Sequence, residues 1–198
     1  MKNYIKKLMT GLFALTFMIG FAVNVNAQDG NTDNASITAT AAVLTAIEVS
    51  ANGNLIFGNV SPNVNKSISN ISEVTGSSAT GGEQAGGFTI TKGSNSFVTL
   101  EFDLPEELGP GSAFLPITFS ETDARITTAD DRSTFGADSE SFDPNTQFNL
   151  ENLTGDLKDT YFESAEFFVF IGGTVEPGAD QFATTEYEGT ITLTASYN

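Results

Sequence analysis

The chain has no cysteine, no histidine and no tryptophan among its 198 residues, and only eight basic residues against 25 acidic ones. Each shortage closes off a class of chemistry. Without cysteine there are no thiolate zinc sites, no disulfides and no thiol nucleophile. Without histidine there is no imidazole metal ligand, and no serine or cysteine activated by an imidazole base. The formal net charge of −17 works against nucleic acid as a partner, because backbone binding needs a cationic surface. All three methionines (Met1, Met9 and Met18) lie near the N-terminus.

That N-terminus has the layout of a secretory signal peptide over residues 1–27. Lys2, Lys6 and Lys7 form a positive start, Leu8 to Val23 is apolar apart from Thr10 and Thr16, and Val25-Asn26-Ala27 supplies a small-residue cleavage site before Gln28. The competing reading is an uncleaved membrane anchor, for which the apolar run is at the short end of what spans a bilayer. No later segment approaches that length. Cleavage would remove three of the eight basic residues, leaving 25 acidic against five basic groups, or −20. The product is expected to be exported: extracellular, periplasmic or on the cell surface. An exported domain without disulfides must depend on core area and on hydrogen-bonded sheet.

What the rest contains is β-pattern. Residues 28–34 form a short polar stub, expected to be disordered. From Ala35 to Asn198 a single domain is expected. Ile37, Ala39, Ala41 and Val43 alternate with polar or small residues, a period of two that predicts a first strand. Asn52-Gly53 signals a turn, and Leu55 to Val60 reads as the next strand, stopped by Ser61-Pro62. Further strand-like runs lie at 67–74, 88–90, 97–104, 114–119, 161–171 and 187–197, with a weaker element near 148–153. No useful window has helical periodicity. About nine or ten short strands bounded by Gly, Pro, Asn or Asp predict an all-β, antiparallel β-sandwich of immunoglobulin-like or fimbrial-like type. The 17 phenylalanines are read as the filling between sheets, in preference to a ligand platform, because alternating rings point inward.

Two segments together carry a resemblance. Ala35-Ser-Ile-Thr-Ala-Thr-Ala-Ala-Val-Leu-Thr-Ala-Ile-Glu-Val49 leads to Leu55-Ile-Phe-Gly58. Near the end, Phe170-Ile-Gly-Gly-Thr174 precedes Tyr187-Glu-Gly-Thr-Ile-Thr-Leu-Thr-Ala-Ser-Tyr197. This resembles a bacterial family of exported domains, the domain of unknown function numbered 4402. The chain departs from it in having Thr185 where a glycine often stands, and in an acidic insertion over residues 121–144. The resemblance implies export and an immunoglobulin-like sandwich distantly similar to spore-coat and fimbrial subunits. It implies no catalytic residues.

Candidate sites are few. Asp130, Asp131, Asp138, Glu140 and Asp143 are candidate calcium ligands, since hard cations take several carboxylate oxygens from a flexible loop. The calcium loop pattern Asp-x-Asp-x-Asp-Gly is missing, and a solvated acidic loop explains the same residues. A hydrolase using a carboxylate pair has no pair singled out by the sequence. The first strand, 37–43, is read as the domain's own rather than as an arm lent to another subunit. Four Asn-x-Ser/Thr sites occur at Asn34, Asn65, Asn70 and Asn152. The leading expectation is a non-enzymatic exported structural or adhesive surface protein, with no cofactor, and with self-association or a surface partner engaged through sheet edges. A calcium- or glycan-binding module is the alternative.

Overall fold

The structure is a computed structural model that describes residues 35–41, 43–77, 79–93, 96–109, 114–181 and 186–198. The expected signal peptide and the stub at 28–34 lie outside the described residues. The chain divides into two units, Met1–Ala41 and Ala42–Asn198. In the first, residues 35–41 have no regular structure and are exposed, with Ile37 96% accessible. In the second, residues 43–47 also precede any strand, and Val43 is 95% accessible. The alternation at 37–43 therefore forms no strand among its described residues. Its pattern is right for a sheet, but no described neighbour pairs with it.

The second unit is all-β, with thirteen strands among the described residues. They are β1 (Glu48–Ala51), β2 (Lys66–Ile68), β3 (Val74–Gly76), β4 (Gly86–Thr91), β5 (Val98–Asp103), β6 (Glu107–Leu108) and β7 (Leu115–Thr118). After them come β8 (Ala124–Thr127), β9 (Ser139–Phe142), β10 (Phe148–Asn149), β11 (Glu166–Ile171), β12 (Gly173–Val175) and β13 (Thr192–Tyr197). The number exceeds the expected nine or ten because several pieces are two or three residues long, too short to show a period. A six-residue helix, α1 (Gly155–Thr160), follows a 3₁₀ turn at Leu150–Asn152. The helix is too short for periodicity; Leu157 anchors it in the core. The Glu140 carboxylate accepts bonds from the backbone N–H and hydroxyl of Thr154 at its start.

All strand pairings are antiparallel, in sheets ordered β1-β4-β11-β8-β9, β10-β5-β13 and β3-β2-β12-β7-β6. The first two sheets enclose the main core. Ile90, Ile126, Phe167 and Val169 from one meet Val98, Leu100 and Leu193 from the other. Phe88, Phe97, Phe102, Phe142, Phe148 and Phe167 fill this space, while Phe114, Phe135 and Phe162 are exposed. Phe142 stacks on Phe148 at 4.4 Å and on Phe102 at 6.2 Å. Tyr161 is fully buried among Phe97, Phe162 and Phe167, and its hydroxyl donates to the Ser96 carbonyl. The Lys92 ammonium lies over the Tyr161 ring at 4.1 Å, and burial pulls its pKa down.

One link between the first and third sheets is a single residue. Strand β11 ends at Ile171 and β12 begins at Gly173, so the chain passes from the first sheet to the third through Gly172. The third sheet has its own core of Phe57, Ile68, Leu115, Ile117 and Val175, with Leu55, Val60 and Tyr187 packed on it. Residues 55–60 and Tyr187 belong to no sheet; Ile56 makes only an isolated bridge to Gln84, and Gly58 is left-handed with φ 63°.

Candidate functional site

Over the second core lies a groove of about 1130 Å³. One rim is residues 54–60. The other is residues 186–191, which lead directly into β13. The floor includes Leu115, Ile117 and Ile171, so the groove opens onto the hydrophobic interior.

The rims are unusual in what their backbones lack. Ile56 donates to and accepts from Gln84, which occupies one side of that rim. Successive residues of an extended chain point their N–H and C=O groups to opposite sides. Leu55 and Phe57 therefore face away from Gln84, and neither makes a main-chain hydrogen bond to a described residue. On the other rim the Glu188 carbonyl accepts from Gly109. Gly189 and Ile191 face the opposite way, again without a main-chain partner among the described residues. Strand β13 itself is an edge strand. Two edges that want hydrogen bonds thus flank an apolar floor that wants side chains. The alternation predicts strands at 55–60 and 187–197, and of these only 192–197 is a strand, because alternation reports burial and not whether a neighbour is present.

The rim at 58–60 is held by buried charge. The Lys66 side chain is wholly inaccessible; its ammonium donates to the Asn59 carbonyl at 2.9 Å and to Glu83 Oε1 at 2.7 Å. Gly58 has φ 63°, and a Cβ there would press on Thr80 and Glu83. Lys66, and then the backbone and hydroxyl of Thr80, hold the Glu83 carboxyl well below its ordinary value of 4.5. The Asp131 carboxyl is lowered from 3.8 to about 2 by Thr134 and then by Ser133. Both groups bind protons more weakly folded than unfolded. Their stabilisation is complete above pH 4.5 and is lost as the pH falls, for Asp131 between 3.8 and about 2. Thermal melts of the wild type and a Glu83→Gln variant across this range check it. The variant is expected to melt lower at neutral pH, and the gap is expected to narrow below pH 4.5.

The acidic stretch carries two arginines that bond to its backbone and to Asn52. Arg125 in β8 is fully buried, with its guanidinium 4.9 Å from the Phe170 ring. It donates to the Thr134 carbonyl at 3.0 Å and to that of Asp131 at 2.7 Å. Arg132 lies 5.5 Å from the same ring and donates to Asn52 at 3.2 Å. Asp130 accepts from the Asn52 amide, Asp131 from Ser133 and Thr134, Asp143 from Asn145, and Glu140 from Thr154. Asp138 is exposed on the turn before β9. Asp131 and Asp143 thus close local turns, Asp130 reaches Asn52, and Glu140 reaches the start of the helix. Among the described residues no three acidic groups gather to hold a metal ion. One Asn-x-Ser/Thr site is also removed from contention: Asn70 is buried and donates to the Thr122 carbonyl at 2.7 Å.

Among the described residues no helix is long and apolar enough to cross a membrane. In comparison with known proteins, no family model, no curated protein and no solved structure matches this chain.

Proposed function

We propose that this is an exported, non-enzymatic structural or adhesive protein of the cell surface, which works by taking an extended polypeptide strand into the groove of its second core. The observation that carries the reading is an apolar floor flanked by backbone at Leu55 and Phe57 on one side and at Gly189 and Ile191 on the other, none of which makes a main-chain hydrogen bond to a described residue. Main-chain hydrogen bonds to the rims supply affinity, and alternate side chains pressed onto the floor supply selectivity. The groove is lined chiefly by backbone and apolar side chains, with Glu186 and Glu188 on one rim. That lining suits a peptide better than a sugar or a reacting centre. The signal-peptide layout and the resemblance to an exported domain family support the location, and the absence of disulfides suits a core that is completed by added sheet.

A peptide of alternating valine and threonine tests this on the full chain, beside the same peptide N-methylated on one edge. The plain peptide is expected to raise the melting temperature, as any ligand that prefers the folded state must. The methylated peptide, which cannot complete the ladder, is expected to do much less. No response to either peptide, with a clear rise on adding calcium or an oligosaccharide, would overturn the reading in favour of a small-ligand module.

A further inference from the structure

Asn52-Gly53 is the one Asn-Gly pair in the sequence. It stands where the edge strand β1 leaves β4, just past the Ala51↔Phe88 pair. The Asn52 N–H donates to the Gly87 carbonyl at 2.7 Å, and the Gly53 carbonyl accepts from the Gly87 N–H at 2.9 Å. Between these two bonds, the Gly53 N–H donates to no described residue. Gly53 is exposed, with φ 110°, and Asn52 is half-buried.

The Asn52 side chain is held at its two ends by groups of opposite charge. Its Nδ2 donates to Asp130 Oδ1 at 2.9 Å, and its Oδ1 accepts from the Arg132 guanidinium at 3.2 Å. Reversing the amide would set donor against donor and acceptor against acceptor, so the two charges fix its orientation. Arg132 is itself steadied by the Ala85 carbonyl at 3.5 Å and the Phe170 ring at 5.5 Å. A Cβ on residue 53 would run into the same guanidinium, so glycine is what lets Arg132 lie against the Asn52–Gly53 peptide. Neither Asp130 nor Arg132 makes an ion pair with a described residue. These are the parts of an acyl transfer. A carbonyl oxygen faces a cation, a leaving nitrogen faces an anion, and an unbonded backbone nitrogen follows in the chain.

We infer that Asn52 modifies itself, the Gly53 nitrogen attacking Asn52 Cγ to expel Nδ2 as ammonia. The Gly53 N–Cγ bond forms and the Cγ–Nδ2 bond breaks. The Gly53 nitrogen gives its proton to water, and Nδ2 takes one up as it leaves. Water then opens the resulting cyclic imide at either carbonyl, leaving aspartate or isoaspartate at position 52. Arg132 stabilises the negative charge that gathers on Oδ1 in the tetrahedral state, and the Asp130 carboxylate favours positive charge on the departing nitrogen. Glycine at the next position has no side chain to hinder ring closure. Either product removes the donor that Asp130 faced and sets a second carboxylate against it. Isoaspartate also lengthens the main chain where Gly87 bonds both residues, so the end of β1 is expected to loosen from β4. None of this depends on what the groove accepts.

The test holds the full chain at neutral pH, folded and in concentrated guanidinium chloride, and follows amide-to-acid conversion at Asn52 by digestion and mass spectrometry. The unfolded chain reports the rate that the Asn-Gly pair has by itself. The folded chain is expected to convert about tenfold faster, less than the roughly 10²-fold of a buried oxyanion donor because this site is open to water. Asp130→Asn and Arg132→Gln are each expected to slow the folded rate severalfold and to leave the rate in denaturant unchanged; thermal melts establish that both are folded. A folded wild type that converts more slowly than the unfolded chain would show that the clamp holds the amide away from Gly53, and would overturn the inference whatever the variants do. Folded rates unchanged in both variants would overturn it as well. Converted protein, separated by its added negative charge, is expected to exchange the amide hydrogens of β1 faster than unconverted protein. Equal exchange would reject the loosening of β1.

Discussion

Alanine at position 172 will cost the protein more than about 4 kcal/mol and leave much of it unfolded under ordinary conditions. The added Cβ would collide with the Ile68 carbonyl oxygen and lie 2.7 Å from the carbonyl carbon of Ser69. Both are backbone atoms, so no rotamer change relieves the contact. Relief would require moving β2 away from β12, its ladder partner through Gly173↔Ile68. It would also disturb the bond from the Gly172 N–H to the Asp123 carbonyl at 2.8 Å, which sets the approach to β8. One methyl group therefore strains two sheets at the single residue between β11 and β12. Gly178→Ala is the control, because a Cβ there meets nothing within 4 Å; it is expected to change stability by less than about 0.5 kcal/mol. Urea unfolding followed by circular dichroism compares the two. A Gly172→Ala protein as stable as the control would show that the sheet junction has room this structure denies it.

Arg125→Met is expected to destabilise the protein by about 3–5 kcal/mol, a fall in melting temperature on the order of 10 °C. Methionine fills much of the volume but donates nothing. The carbonyls of Asp131 and Thr134 would lose their partner, and Phe170 would lose the cation on its face. Burial already depresses the Arg125 pKa, with the Asp131 charge acting in the opposite direction, so the guanidinium is held by its acceptors against a desolvation cost. Arg125→Lys keeps a charge but not the fork that reaches two carbonyls, and it is expected to fall between wild type and Arg125→Met. Thermal melts and proteolysis of the 131–136 turn read this out. Equal melting points for the wild type and the methionine variant would mean that the turn does not depend on Arg125.

The two substitutions mark where sequence reasoning failed for opposite reasons. Gly172 sits in a Gly-Gly pair that reads as simple punctuation after a Phe-rich strand. Nothing local shows that another strand's carbonyl lies against it. Arg125 sits in a polar, acidic run where four residues, Ala124 to Thr127, look too few and too mixed for a strand. All four are buried because β8 pairs with β11 on one side and β9 on the other. The partner Phe168–Ile171 lies more than 40 residues away in sequence. Burial of an arginine there follows from that pairing and from the Phe170 ring beneath it. In the same stretch Asp130, Asp131, Glu140 and Asp143 each accept from an amide or hydroxyl, which a count of carboxylates does not show.

By itself the sequence determined the class of the fold and the identity of its core. Residue alternation has a period of two wherever one side of a strand is buried, so Phe88, Ile90, Leu100, Phe102, Leu193 and Tyr197 announce a sheet and its inner face without reference to any partner. Composition likewise set the exclusions, because chemistry that needs a thiol or an imidazole is absent with the residue. Only the tertiary structure decided which alternating segments are actually paired. Residues 37–43 and 55–57 both have strand patterns, yet the described residues of the first are exposed and the second borders a groove. A side-chain pattern records which face a residue would bury. It carries no record of whether the backbone edge beside it is filled, because that depends on a neighbour brought from elsewhere in the chain, or from another one.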